Sequence, residues 1–367
     1  MDITAKITGI KYKVNCADNL PIININDFNI NSAPSYFLLS EKQYGISKWV
    51  SPKRTRSYPF ERIYNTLIAP KRITIIPIIK DEGINGDRDF IQWDTVSLMS
   101  LLDIYVIFAY YDKAVIHPLR QNKVTNQEFN NEYIENKIIE IDNYHSSALH
   151  WNLKEINETL PILIDKAKDS YVHIGDKLNV KFHNELGVQK FKNQFNEGVI
   201  NFMKTSRNKA MEAQNREKQT LQPKEFLSTS TKATITIENY LGGKYYFTTD
   251  EIFISGESLF LIEGKHSSNS KLPSISDIKD GLLKMVLYCN LTDVQINNII
   301  FTPKPILKLT SSHIEGKISS NNSQKEIDEF KILANFKKND AELIDRLFSE
   351  ANINNFEVII EGVKKND

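Results

Sequence analysis

The stretch from Thr249 to Ser267, TDEIFISGESLFLIEGKHS, constrains this chain more than any other. Two apolar runs flank Ser255-Gly256-Glu257-Ser258, in which glycine can supply the positive φ of a type II′ hairpin loop. With Gly256 and Glu257 as the loop, Ile254 faces Leu259, Phe253 faces Phe260, and Asp250 faces Glu263. Directly opposed residues share a face with Cβ atoms about 4.5 to 5.5 Å apart, so two carboxylates there repel unless a cation neutralises them. Lys265 returns to the face of Glu263 by strand periodicity and faces Thr248 in that register.

Two acids and an ammonium at one end of a hairpin suit phosphodiester hydrolysis. Hard carboxylate oxygens hold Mg²⁺ and leave coordination positions for water and a phosphate oxygen. The ion makes bound water more acidic and offsets charge that builds on the phosphorus oxygens. Lys265 is expected to orient or help deprotonate the attacking water, or to stabilise the transition state.

The rest of the sequence reads as a mixed α/β chain in three parts: an N-terminal α/β region over 1–125, a helical middle over 126–184, and a catalytic region with a C-terminal extension over 185–367. Arg72 to Ile79 and Ile104 to Tyr111 are β-branched and aromatic runs of strand length, and Asp94 is a candidate N-cap for a short helix between them. Helical spacing of apolar residues follows over 127–168 and again over 186–215. Lys232 to Ile237, Tyr245 to Ile254 and Leu259 to Gly264 then read as three strands. A helix over Asp277 to Leu291, a strand around Asn298 to Thr302, a charged helix near 325–351 and a last strand over Phe356 to Ile360 complete the pattern.

Asp250, twelve intervening residues, then Glu263-Gly264-Lys265 at the end of an apolar strand resembles the signature of the PD-(D/E)XK nucleases, the core of many type II restriction endonucleases. The order helix, three strands, helix, strand from Leu186 to Pro305 also resembles that family's core, a central mixed sheet flanked by helices. Thr249 stands where the family's name has proline. The resemblance implies Mg²⁺ held by Asp250, Glu263 and the backbone carbonyl of Gly264, with Lys265 as the basic catalytic residue. Some members add an upstream helical glutamate, for which Glu185 and Glu197 are the candidates. A restriction-modification role follows, in which the chain cuts both strands of double-stranded DNA at a specific site. A homodimer is expected because palindromic targets favour two-fold symmetry.

Lys+Arg and Asp+Glu both total 46, so any footprint for DNA has to be local. The densest basic segment holds Lys53, Arg54, Arg56 and Arg62, interleaved with aromatic residues, and Lys279 and Lys284 follow on the helix after the hairpin. These six are the candidate DNA contacts. Glu315-Gly316-Lys317 repeats the short motif without an opposed aspartate and reads as a surface loop. Asp81, Glu82, Asp87, Asp89 and Asp94 read as turn and capping residues. Two cysteines without metal-ligand spacing, no secretory leader and no membrane-length apolar run point to the cytoplasm. Two rival functions remain: a structure-specific repair or recombination nuclease, and a non-catalytic DNA-binding or scaffold protein.

Overall fold

The computed structural model describes residues 2–53, 59–195, 231–239 and 244–363. The protein is mixed α/β, with a nine-stranded mixed sheet and a smaller five-stranded one. The chain divides into two compact units, Met1–Asn19 with Gln222–Asp367, and Leu20–Leu221. These boundaries differ from the three-part organisation read from the sequence. The first nineteen residues belong with the C-terminal sheet, and the helical middle belongs with the strands that precede it.

Strand β1 (Asp2–Ile7) starts the first unit, with Ile3, Ala5 and Ile7 buried on alternate positions. The chain then builds the second unit. Its five-stranded sheet has the order β2 (Ile22–Ile23), β3 (Tyr36–Leu39), β4 (Tyr44–Lys48), β5 (Lys71–Pro77), β8 (Tyr105–Ala109). Helix α1 (Pro59–Thr66) precedes β5, and two short strands, β6 (Ile79–Asp81) and β7 (Arg88–Phe90), form a hairpin before α2 (Trp93–Leu101). Asp94 lies inside α2, whose N-cap is Gln92.

After β8 the chain forms a second hairpin from β9 (Tyr111–Ile116) and β10 (Val124–Phe129), so the expected helical region begins with a strand. Helices α3 (Asn131–Asp142), α4 (Ala148–Lys154), α5 (Leu160–Leu178) and α6 (Glu185–Asn193) follow. Strand β8 is an edge, and an edge presents unpaired backbone groups. Side chains of α4 cover it: the Asn152 Oδ1 accepts from the Val106 N–H at 2.8 Å, and the Trp151 indole donates to the Val106 carbonyl at 2.9 Å. The expected continuation of the α6 helix to residue 215 lies outside the described residues.

On its return the chain completes the first unit. The large sheet runs β15 (Ile299–Ile300), β14 (Thr292–Ile296), β1, β11 (Thr231–Asn239), β12 (Lys244–Ser255), β13 (Ser258–Ser267), β16 (Thr302–Ser311), β18 (Glu357–Gly362), β17 (Lys317–Ser319). Helix α7 (Ile275–Tyr288) packs against β13 and β16, while α8 (Gln324–Leu333) and α9 (Lys338–Asn354) lie beside β17 and β18. The charged C-terminal helix read from the sequence is thus two helices. The strand that follows α7 and joins β13 in parallel is β16, which begins where the strand read at Asn298 to Thr302 ends. Leu261, Ile262 and Glu263 are consecutive and all buried, as are Ile306 and Leu307, so both faces of the sheet are covered at its centre. No helix among the described residues is long and apolar enough to cross a membrane.

One buried carboxylate locks the N-terminal arm onto this unit. Glu350, on α9, accepts from the Asn15 and Cys16 N–H groups at 2.7 Å each and from the Tyr12 hydroxyl at 2.8 Å. Backbone donors buried without partners are costly. Glu350→Ala is expected to destabilise the protein by about 3 kcal/mol in urea unfolding. A loss within measurement error contradicts that role.

In the other unit, Glu82 accepts from Lys80 at 3.0 Å and Lys123 at 2.9 Å and so ties the foot of β10 to the end of β6. Burial acts to raise this carboxyl, but the Lys123 and Lys80 ammonium groups outweigh it and hold the carboxyl at about 2. A carboxyl depressed by folding stabilises the folded state above its unfolded value of about 4.5. That stabilisation is lost as pH falls from there toward about 2. Urea midpoints followed through this window are expected to fall less steeply in Glu82→Gln than in wild type, and parallel curves rule the linkage out.

Candidate active site

The β12–β13 hairpin forms in the expected register for five pairs, from Ser255 opposite Ser258 to Glu251 opposite Ile262. Gly256 has φ of +57°, as a II′ loop requires, and Glu257 does not enter the left-handed region. The ladder stops one pair short of Asp250 and Glu263, which are therefore not direct cross-strand partners. The cause is one extra residue in β12 against β11: Ala233 pairs with Thr249, but Thr231 pairs with Ile252. A bulge of this kind turns the side chains of its strand away from strict alternation. The Thr249 hydroxyl fills the gap by donating to the Ile262 carbonyl at 2.9 Å.

The bulge gives the two carboxylates different surroundings. Asp250 is exposed, and its Oδ2 accepts from the Gly264 N–H at 2.9 Å. Glu263 is 1% exposed. Burial raises the Glu263 carboxyl above its ordinary value; Lys284 pulls it down, the Asp250 charge pushes it up, and Lys265 pulls it down again. The aspartate and glutamate thus feel each other across the end of the hairpin.

A buried carboxylate has to be paired. Lys265 approaches Glu263 Oε1 at 3.0 Å, and Lys284 approaches Oε2 at 2.6 Å. The Lys265 ammonium also reaches Asp280 Oδ2 at 2.6 Å. Burial lowers the Lys265 pKa, but Glu263 and Asp280 more than offset this and hold it above the ordinary lysine value. The same contest raises Lys284, with Glu263 as the main opponent of burial. Both side chains are ammonium ions near neutral pH, so Lys265 is a charge donor here. The role of helping to deprotonate water, read from the sequence, does not suit it in this state.

Helix α7 supplies half of this constellation. The Ser274 hydroxyl caps its N-terminus by accepting from the Asp277 N–H, and Asp280 and Lys284 then share one face at i and i+4. Between them Gly281 lets the helix approach the sheet, since a Cβ there would lie 2.6 Å from Leu307 Cδ1 and 3.4 Å from Lys265 Cε. The Lys265 stem lies in the space that the missing side chain leaves.

Other sequence candidates fall elsewhere. Lys279 and Lys284 do not offer free charge to a phosphate, which corrects their reading as DNA contacts. Lys279 is 0% exposed and pairs with Asp18 at 2.6 Å, while Lys284 is the counter-ion of Glu263. The described members of the basic segment are likewise committed. Lys53 pairs with the buried Asp89, and the partly buried Arg62 guanidinium donates to the Lys48 carbonyl. Arg54 and Arg56 lie outside the described residues, as does Glu197. Glu185 is exposed on α6, in the second unit, and pairs with Lys168 at 3.1 Å. Sequence reading missed Asp280 and the true place of Lys284. The available signal was their i, i+4 spacing around a glycine in an otherwise apolar helix.

The donor set fits a hard divalent cation. Asp250 Oδ1 has no partner among the described residues, Asp250 and Glu263 repel across the site, and carboxylate oxygens are the ligands such an ion takes, with Glu263 exchanging a lysine for it. Three or more His, Cys, Asp or Glu side chains are nowhere grouped closely enough to hold a metal among the described residues, so water or substrate oxygens would complete the shell. No family model matches the chain, and comparison with curated proteins and with solved structures returns no match.

The glycine contact predicts the sign of a substitution. In an exposed helix Gly→Ala stabilises by about 1 kcal/mol. Gly281→Ala is instead expected to lower stability by about 1 to 2 kcal/mol, because the new methyl presses on the buried Leu307 and on Lys265. A raised melting temperature overturns that packing.

Proposed function

We propose that this protein is a Mg²⁺-dependent endonuclease of the PD-(D/E)XK type, resembling type II restriction enzymes and cutting both strands of duplex DNA at a specific site. The observation that carries the reading is the convergence of Asp250, Glu263, Lys265 and Lys284 at the open end of one hairpin. Two hard carboxylates suit the metal side of phosphodiester hydrolysis and the Lys265 ammonium its phosphate side, while Lys284 balances the buried glutamate.

Asp250, Glu263 and the carbonyl of Gly264 would hold the ion. When bound, Mg²⁺ acidifies water and withdraws charge from a phosphate oxygen. Lys265 lies between Glu263 and Asp280, which fix its ammonium where it can donate to a non-bridging oxygen as negative charge grows there. Lys284 balances the buried Glu263, so that one carboxylate is retained where burial alone would favour its protonated form. In the reaction a water oxygen forms a new bond to phosphorus and gives up its proton. The bond to the 3′ oxygen breaks and that oxygen takes up a proton, which leaves 5′-phosphate and 3′-hydroxyl ends.

A second copy would bring a second hairpin to the opposite strand, and a cytoplasmic setting supplies both DNA and millimolar Mg²⁺. The large second unit is then available for recognition of sequence.

Purified protein with plasmid DNA and Mg²⁺ is expected to give discrete fragments that EDTA abolishes. Glu263→Gln, Asp250→Asn and Lys265→Ala are each expected to slow cleavage by at least about a hundred-fold. Smears or junction-dependent nicks favour a structure-specific nuclease. Equal cleavage by the variants, or none with any divalent metal, returns the protein to a non-catalytic DNA-binding role.

A further inference from the structure

The β9–β10 hairpin of the second unit leaves apolar side chains in solvent where a folded chain normally hides them. Val115, Ile116 and Leu119 are 48%, 51% and 88% exposed. Exposed apolar residues that cluster mark an interaction surface. The hairpin carries Lys113, His117, Arg120 and Lys123, with its two acidic residues, Asp112 and Glu128, at the far end from the loop, so the tip is apolar and positive together.

The hairpin is held stiffly by its foot. Asn85 Nδ2 donates to the Gln121 carbonyl at 2.9 Å, the Lys181 N–H donates to Asn122 Oδ1 at 3.1 Å, and the Val124 N–H donates to the Glu82 carbonyl at 2.9 Å. These bonds anchor one side of the loop and leave Leu119 and Arg120 projecting. A bulge then breaks the ladder: Thr125 pairs with Val115, but Glu128 pairs with Lys113. Asn126 and Gln127 thus stand opposite one residue, Ala114, and Asn126 is exposed at φ of +46°, a left-handed conformation that a non-glycine residue adopts at some cost. Bulges re-aim side chains, and this one turns an amide outward beside the cationic tip.

A cleft of about 610 Å³ borders the same hairpin, and Lys48, Lys80, His117 and Lys123 contribute to its lining together with Glu82 and Glu128. Glu82 answers Lys80 and Lys123, while Lys48 rests on the carbonyls of Ile30 and Ala33 with no acidic partner among the described residues. A polyanion that lies along the hairpin would find positive charge at its tip and at its flank.

We infer that the β9–β10 hairpin is a two-stranded ribbon that enters the major groove of duplex DNA. The groove is about 12 Å wide and admits such a ribbon. Arg120 matches the acceptors of guanine, the amides of Asn126 and Gln121 match adenine, and Leu119 and Ile116 suit thymine methyl groups. Lys48, whose ammonium meets only backbone carbonyls among the described residues, would take a flanking phosphate. The ligand, though not the geometry, rests on the nuclease reading.

Full-length protein in EDTA, titrated with labelled duplex DNA and followed by anisotropy, separates the two. Wild type is compared with Leu119→Ala/Arg120→Ala and with Asn126→Gly, which accepts the left-handed backbone and removes only the amide. The tip pair is expected to weaken binding at least about ten-fold and to reduce the slope of log K against log salt by about one, with an unchanged melting temperature. Asn126→Gly is expected to narrow the difference between preferred and random duplexes. Loss of binding in a chain that cuts nothing keeps the ribbon and sinks the nuclease. Unchanged binding by the tip pair overturns the ribbon, and so does a shift from dimer to monomer in sedimentation with binding intact, which would make the tip a contact between protein chains.

Discussion

Glu263 cannot be buried alone. A carboxylate at 1% exposure within a sheet has to find positive charge, and this chain supplies it from two directions, the same strand and the next helix. Much of the local architecture serves that pairing. The Ser274 cap starts α7 in the right phase, Gly281 brings the helix close, and Asp280 holds the far side of Lys265. The result is a dense cluster of charge at the edge of solvent, with Asp250 its exposed member. On the function proposed, that imbalance between a saturated glutamate and an open aspartate is what a divalent ion would exploit.

The hairpin was legible from its sequence because its turn chemistry sits between two apolar runs of strand composition. Ser-Gly-Glu-Ser between two short apolar runs has one comfortable register, and five pairs adopt it. The opposition of Asp250 and Glu263 was not legible, because it depended on a bulge set by pairing with β11, a strand that the hairpin sequence does not contain. The lysines of α7 failed for a related reason. Lysine in a charged chain is usually solvated, and nothing in the helix sequence says that Lys279 meets Asp18, which is far away along the chain.

The same limit explains the domain boundaries. Ile3, Ala5 and Ile7 carry a clean period of two, but a strand's partner is a tertiary fact, and β1 pairs in parallel with β11 across more than half the chain. The second unit is therefore an excursion of the chain between β1 and β11. An excursion of that size can diverge in shape without disturbing the large sheet. On the proposed reading it is where selectivity resides, with chemistry left to the hairpin and α7.

The most direct test of the account is diffraction from crystals soaked in Mn²⁺, a stand-in for Mg²⁺ whose anomalous signal marks its position. The account predicts a peak held jointly by the Asp250 and Glu263 carboxylates, with at least one lysine moved off Glu263, and no peak in Asp250→Asn. Manganese bound elsewhere, or a Glu263 still held by both Lys265 and Lys284 with no ion beside it, would contradict the central claim.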